Sequence, residues 1–149
     1  MSAELRDLYQ EIILEHSRKP KNAGTLEDAD GMANGNNPLC GDRISVYVKL
    51  DGDRITDAKF DARGCAISIA SASMMTEMLI GKSIEEAKAE QARFTEMVTS
   101  KDDPDLAQDD ELSALMGVRK FPTRIKCATL PWHTLAAAVD GDKDDVTTE

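Results

Sequence analysis

The fold is decided by residues 44–80, which read ISVYVKLDGDRITDAKFDARGCAISIASASMMTEMLI. Apolar and polar residues alternate from position 44 to position 50, and this pattern predicts a β-strand with one buried face. The turn dipeptide Asp51-Gly52 follows. Residues 54–62 alternate imperfectly, as expected for a second strand that contains a bulge. The two strands are therefore predicted to form a hairpin that ends just before Cys65.

Helices are predicted on both sides of this hairpin. Residues 66–80 are rich in Ala, Ile and Met and apolar almost all round, which indicates a central buried helix. Ser83-Ile84-Glu85-Glu86 is a capping box that opens the next helix, expected to run to about residue 98. Further helices are predicted over residues 5–16, over residues 111–116 with Gly117 ending the turn, and from 121 to 139. Pro131 is expected to kink or divide the last of these.

These elements predict an α+β fold in which a small antiparallel sheet packs against a layer of helices. Residues 19–42 are rich in Asn, Gly and Pro and are expected to form an extended loop. A chain of 149 residues suits one domain, since domains usually have about 100–150 residues. We expect a single domain over residues 1–139 and an acidic, disordered tail over residues 140–149.

Composition excludes several classes of function. The formal net charge is −10, from 18 basic and 28 acidic residues, and this argues against non-specific binding of nucleic acid. The sequence has no apolar run near about 18 residues, no secretory leader and no polybasic amphipathic helix, so no membrane association is expected. The expected location is the cytoplasm. Three cysteines without an export signal are expected to be reduced thiols and not a disulfide framework.

Each of the three cysteines is predicted to lie at a structural boundary. Cys40 precedes the first strand of the hairpin, Cys65 begins the buried helix, and Cys127 lies near the start of the last helix. A thiol at a helix amino end is expected to have a lowered pKa, because unpaired N–H groups favour the thiolate. Lys126 and Arg124 bring positive charge to Cys127, Arg124 from the same helical face.

A shared metal site is one interpretation of these positions. Asp42 follows Cys40 by two residues, so in an extended segment both side chains leave the same face. Three thiolates and one carboxylate form a tetrahedral set that zinc accepts. The same set could bind iron in a cluster, with the oxygen ligand as a weaker corner. No CxxC pair occurs, so spacing alone also leaves open three unrelated buried cysteines.

Five motifs that occur together make the assignment more specific. They are LYQEIILEHSRKP (8–20), NPLCGD (37–42), GCAIS (64–68), ASASMMTE (70–77) and FPTRIKCATL (121–130). In this combination the sequence resembles the U-type iron–sulfur cluster assembly proteins over roughly residues 5–139. It is most similar to their SufU branch, because Lys126 stands where the IscU branch has a histidine. The segment between Cys65 and Cys127 is also longer than in the IscU branch.

The resemblance implies a ligand set and a function. It implies zinc held by Cys40, Asp42, Cys65 and Cys127, and a zinc-dependent sulfurtransferase that accepts persulfide sulfur from a SufS-like cysteine desulfurase and activates it. Cys40 is the expected nucleophile because it lies on a glycine-flanked loop and not at a helix end. Arg124 is expected to steady the charged persulfide.

The resemblance also leaves an alternative open. In this alternative the chain is a scaffold that binds iron through its cysteines. A [2Fe–2S] cluster is built on it and passed to recipient cluster-assembly or apo iron–sulfur proteins. A structural zinc protein without sulfur chemistry is the third possibility. A departure from the family pattern is Pro131, which concerns helix geometry and touches no expected ligand.

Overall fold

The computed structural model describes residues 11–38, 41–99, 111–141 and 146–147, with the side chains of residues 111–113 left out. Four α-helices, four strands and one 3₁₀ helix lie within these ranges. In chain order they are α1 Glu11–Arg18, β1 Gly31–Asn37, β2 Asp42–Asp51, β3 Arg54–Arg63, α2 Ala66–Leu79, α3 Ile84–Thr99, the 3₁₀ helix Glu111–Lys120, α4 Pro122–Asp140 and β4 Val146–Thr147.

The predicted hairpin is confirmed as strands β2 and β3. The two strands pair in antiparallel register from Arg43 opposite Arg63 onwards. The register shifts where Lys49 pairs with Asp57 and Leu50 with Ile55, so that β3 carries one additional residue. This is the bulge that the imperfect alternation predicted.

The sheet contains two strands that the sequence did not predict. Its order is β3-β2-β1-β4, and β1 lies within the segment 19–42 that was expected to be a loop. β4 pairs in parallel with β1, so the sheet is mixed and not purely antiparallel. The α+β class is confirmed. Two residues of the expected tail, Val146 and Thr147, thus belong to the sheet.

Small residues in β1 let α4 approach the sheet closely. A Cβ atom at Gly31 would lie 2.1 Å from the Ala138 carbonyl oxygen, and one at Gly35 would lie 2.1 Å from Thr134 Oγ1. Only glycine fits at both contacts. The glycines that made this segment resemble a loop therefore allow α4, which carries Cys127, to pack closely against β1.

Within the described residues the helices agree with the sequence except in two places; residues 5–10 of the first predicted helix lie outside the described residues. The capping box is confirmed, since the Ser83 amide donates to Glu86 Oε1 and the Glu86 amide donates to Ser83 Oγ, both at 3.1 Å. The short helix predicted to end at Gly117 continues as a 3₁₀ helix to Lys120. Pro131 is buried within α4 and does not divide it, contrary to one of the two expected outcomes.

The core joins α2 and α4 to the inner face of the sheet. Along this interface Ser71 Oγ donates to the Ala128 carbonyl at 2.6 Å and accepts from Trp132 Nε1 at 3.1 Å. The Trp132 ring stacks on Phe94 of α3 with centroids 4.7 Å apart. These contacts join the second turn of α2 to the middle of α4, which helps to hold Cys65 near Cys127. Within the described ranges, no helix has both the length and the apolarity that crossing a membrane requires.

Candidate metal centre

Three residues that are distant in sequence meet at one end of the sheet, where β2 begins. Asp42 begins β2, Cys65 precedes α2, and Cys127 lies in the second turn of α4. One ligand atom from each lies within 4.8 Å of the others. Asp42 and Cys127 are buried and Cys65 is half-buried. Separate elements therefore bring Asp42, Cys65 and Cys127 together, and that these residues hold a metal with Cys40 stays a prediction.

The Asp42 carboxylate is held in place by the turn that leads into α2. Its Oδ1 accepts a 2.8 Å hydrogen bond from the Cys65 amide, and its Oδ2 lies 3.5 Å from Cys65 Sγ. The side chain is only 1% exposed, and such a buried carboxylate requires hydrogen bonds or a cation to offset its lost hydration. Gly64 makes the arrangement possible, because a Cβ there would lie 2.1 Å from Asp42 Oδ1.

The neighbouring groups favour the thiolate form of Cys65. A hydrogen bond with the Cys127 side chain lowers the pKa of the Cys65 thiol to about 7, in spite of the opposing effect of burial. The Ser68 amide and the Arg124 guanidinium lower this pKa further, whereas the Asp42 carboxylate raises it. The predicted low pKa at the start of α2 is thus confirmed, but the largest cause is the second thiol and not the helix end.

The donor set fits a divalent cation such as zinc. In a tetrahedral zinc site with bonds of roughly 2.0–2.3 Å, neighbouring ligand atoms lie about 3.5–3.8 Å apart. The ligand atoms lie within 4.8 Å of one another, so they would have to approach by about 1 Å at most to hold such an ion. As ligands, two thiolates and one carboxylate would carry three negative charges in a largely buried place, and a dication would offset two of them.

The remaining predicted site residues have different outcomes. Cys40, the expected nucleophile and fourth ligand, lies outside the described residues, so its part in the site stays a prediction. Arg124 is half-buried in the first turn of α4, and its charge acts on Cys65 as stated above. Its contact with a persulfide also stays a prediction.

Two further polar residues near the site had no role assigned from the sequence. Asn37 is buried at the end of β1, and its amide nitrogen lies 4.0 Å from Cys127 Sγ. Its place in the motif NPLCGD was the available signal. Ser68, in the first turn of α2, has a buried hydroxyl without a hydrogen-bond partner among the residues that the structure describes. No feature of the sequence distinguishes Ser68 from the neighbouring serines of α2.

Comparison with known proteins agrees with this geometry. The model of the NifU-like N-terminal domain matches residues 8–141, which is most of the chain. The chain belongs to this family. The family resemblance expected from the five motifs is thereby confirmed, while the boundary at residue 139 stays a prediction.

Relatives in this family include both branches that the sequence suggested. The zinc-dependent sulfurtransferase SufU of Bacillus subtilis is 47% identical over 138 residues, which cover 93% of each chain. The iron–sulfur cluster assembly scaffold protein IscU of Streptococcus pyogenes is 45% identical over 137 residues, covering 92% of this chain and 86% of that one.

A solved structure supports the α+β fold. It is a protein of Fervidobacterium islandicum described as a candidate cluster assembly scaffold of the SUF system. It superposes with a TM-score of 0.81 at 36% identity, over 90% of this chain and 98% of the other.

Proposed function

We propose that this protein is a zinc-dependent sulfurtransferase of iron–sulfur cluster assembly that accepts persulfide sulfur from a cysteine desulfurase. The observation that carries the proposal is the convergence of Asp42, Cys65 and Cys127 within 4.8 Å. Its context is the 47% identity to a zinc-dependent sulfurtransferase along nearly the whole chain. The cytoplasmic location and the choice of desulfurase are parts of the proposal.

Cys40 is proposed as the fourth zinc ligand. It precedes Asp42 by two residues, so chain connectivity limits the distance between the two Cα atoms to about 7 Å. On one side of it Gly41 donates its amide to the Asn37 carbonyl at 2.9 Å, which anchors the connection between β1 and β2. Gly41 has a φ of +78°, which glycine adopts at little cost. We therefore expect the Cys40 thiol to reach the other three ligands.

The proposed transfer is a thiol–disulfide type of displacement. Zinc, when bound, keeps the cysteines deprotonated at neutral pH. The Cys40 thiolate attacks the outer sulfur of the desulfurase persulfide and forms a new S–S bond with it. The bond between that sulfur and the desulfurase cysteine breaks, and its electron pair leaves with the desulfurase thiolate. No further oxidant or reductant is needed.

Arg124 is proposed to stabilise the persulfide that results. Its guanidinium acts on the charge of Cys65, and it stands one turn before Cys127 on α4. A persulfide carries its negative charge on the outer sulfur, and a fixed cation lowers the cost of holding that charge in a partly buried place. Arg124 would therefore act on the product of the transfer more than on zinc binding.

The second candidate function is a scaffold that carries a [2Fe–2S] cluster and passes it to apo iron–sulfur proteins. The 45% identity to the IscU scaffold favours this candidate, and the three donors within 4.8 Å suit it equally. Metal analysis distinguishes the two. Protein purified without added iron is expected to be colourless with about one zinc per chain, whereas a brown, oxygen-sensitive protein would favour the scaffold.

The decisive experiment follows alanine and sulfide release by a cysteine desulfurase with and without this protein. We expect stimulation by the wild-type chain and its loss in Cys40→Ser. Arg124→Ala is expected to reduce stimulation while zinc remains bound. The matched control is Arg54→Ala, which removes an exposed arginine at the hairpin turn. Full stimulation by Cys40→Ser would show that Cys40 is not the nucleophile.

A further inference from the structure

Two arginines stand side by side on the outer face of the sheet. Arg43 and Arg63 occupy directly opposite positions in β2 and β3, so both side chains leave the same face. Both are exposed, and like charges directly opposite each other destabilise a sheet. Among the described residues, neither guanidinium takes part in an ion pair. An external negative charge would remove the repulsion between them.

A cleft of about 600 Å³ surrounds this pair. Its lining also includes Asn34, Asn36 and Ser45. The Ser45 hydroxyl donates to Asn34 Oδ1 at 2.6 Å, which leaves the amide groups of Asn34 and Asn36 as further donors beside the arginines. Asp61 is the one carboxylate in the lining. The cleft therefore carries an excess of positive charge and of hydrogen-bond donors, although the chain as a whole has a net charge of −10. Donors in this arrangement suit the carboxylates of aspartate and glutamate.

The same face continues into residues that are common in protein interfaces. Met32 is 45% exposed and is the large apolar residue most open to solvent among those described. It stands directly opposite Tyr47, which is half-buried. Arginine, tyrosine and methionine are enriched in protein–protein interfaces. An apolar pair beside a cationic pair indicates a protein partner and not a small anion. We call Met32, Arg43, Tyr47 and Arg63 the arginine face.

The arginine face borders the candidate metal centre. Arg43 follows Asp42 directly, and Arg63 precedes Cys65 by two residues. Because side chains alternate along a strand, Asp42 points into the protein where Arg43 points out of it. The arginines and the ligands therefore share one rim of the sheet but lie on opposite faces. A protein that covers this end of the sheet can therefore contact both the ligands and the arginine face.

We propose that the arginine face docks an acidic segment of the cysteine desulfurase, whose carboxylates bind Arg43 and Arg63 while its persulfide reaches the metal centre. This inference rests on the proposed function, since it takes the desulfurase as the sulfur donor. The pair fixes the orientation of the partner and contributes to the rate of association. It takes no part in the chemistry.

The test measures the Kd between the zinc-loaded chain and the cysteine desulfurase of the same organism, without cysteine, at low and high salt. Arg43→Glu, Arg63→Glu and the double variant are compared with Arg54→Glu. Arg54 is an exposed arginine on the same strand as Arg63, at its other end. We expect each single reversal to raise the Kd by about tenfold and the double variant to lose most of its salt dependence. Arg54→Glu should stay near wild type.

Several outcomes would overturn the docking proposal. One is a double variant that binds as tightly as the wild type. Another is a wild-type Kd for both single variants, which decide the matter if metal analysis or circular dichroism shows that the double variant has lost zinc or unfolded. A third is a wild-type dimer in sedimentation that the double variant abolishes, since the face would then join two copies of this chain.

The docking proposal and the proposed function fail separately. Binding is measured without turnover, so a wild-type chain that binds but does not stimulate contradicts only the sulfurtransferase. In a parallel turnover assay, the reversals should raise KM for this protein as the varied component and leave kcat unchanged. A fall in kcat at saturation with unchanged KM would place the arginines in the chemistry and overturn docking.

Discussion

Replacing Gly64 by alanine should disable the metal centre without removing any ligand. The new Cβ would lie 2.1 Å from Asp42 Oδ1 and 2.7 Å from its Cγ, where ordinary contacts are 3.4–4 Å. The carboxylate must therefore move by about 1 Å or more, since overlaps of this size are not absorbed by packed atoms. That movement breaks the 2.8 Å hydrogen bond from the Cys65 amide and shifts the oxygen donor from its position.

The expected cost follows from these two effects. Overpacking costs about 1–3 kcal/mol, and loss of a hydrogen bond to a charged group costs about 1.5–3 kcal/mol. The two overlap, because moving the carboxylate relieves the collision, so we expect a loss of about 3 kcal/mol in the free energy of unfolding. For a chain of this size the Tm should fall by about 6–12 °C. Zinc affinity should fall at least about tenfold, as when a ligand loses its support.

The measurement combines thermal unfolding of the zinc-free chain with zinc titration against a chromophoric chelator. Gly81→Ala is the control, since Gly81 has a φ of +94° and open space around its Cβ position. Its free energy of unfolding should fall only by the cost of a left-handed backbone at a non-glycine residue, about 1–2 kcal/mol, and it should bind zinc normally. The reasoning is refuted if Gly64→Ala binds zinc as tightly as Gly81→Ala, because Asp42 would then not be a corner of the site.

Two other predictions concern the thiols and the serines of α2. In the zinc-free chain, alkylation of Cys65 should accelerate as the pH rises through about 7, since the thiolate forms above its pKa. Cys127→Ala removes the largest cause of the lowered pKa, so the midpoint of the alkylation curve should move upward toward the ordinary thiol value of about 8.5. Mass spectrometry of the Cys65 peptide measures alkylation against pH. An unchanged midpoint would contradict the assignment of Cys127 as the main cause of the lowered pKa. Ser68→Ala removes a buried hydroxyl that has no partner among the described residues, and should leave the free energy of unfolding unchanged or slightly higher. Ser71→Ala should instead lower the free energy of unfolding by about 1–3 kcal/mol, because the Trp132 indole loses its acceptor. Denaturant unfolding of the two serine variants gives the comparison, and equal losses of stability would contradict the different roles of Ser68 and Ser71.

Local patterns predicted the parts of the fold that local interactions determine. The alternation in β2, the bulge in β3 and the capping box at Ser83 each depend on residues close in sequence, and each is observed. β1 was missed because Gly31 and Gly35 have low strand propensity. Their small size is required by α4, a helix about a hundred residues later in the chain. Propensity cannot register a requirement that arises only from tertiary packing.

In the candidate site, too, local features were predictable and contacts between distant elements were not. Asp42, Cys65 and Cys127 were identified from their chemistry and from the motifs around them, and the fold brings them together. The motifs around Gly64 and Asn37 pointed to this part of the chain, but the contacts of the two residues could not be predicted, because they depend on distances to atoms on other elements. Pro131 left two outcomes open, a kink or a division of α4, and the helix is not divided. Its helix-breaking tendency is overridden by burial against the core, where packing stabilises the continuous helix.

The uneven burial of the three donors has a consequence for how the metal is exchanged. Cys127 and Asp42 are closed to solvent while Cys65 is partly open, so a competing thiol or chelator meets the Cys65 corner before the others. Release of the ion should then proceed by stepwise replacement, at a rate that rises with the concentration of the competitor. The chain would then release the ion to a competing ligand without any global unfolding, and would retain it in buffer that contains no such ligand.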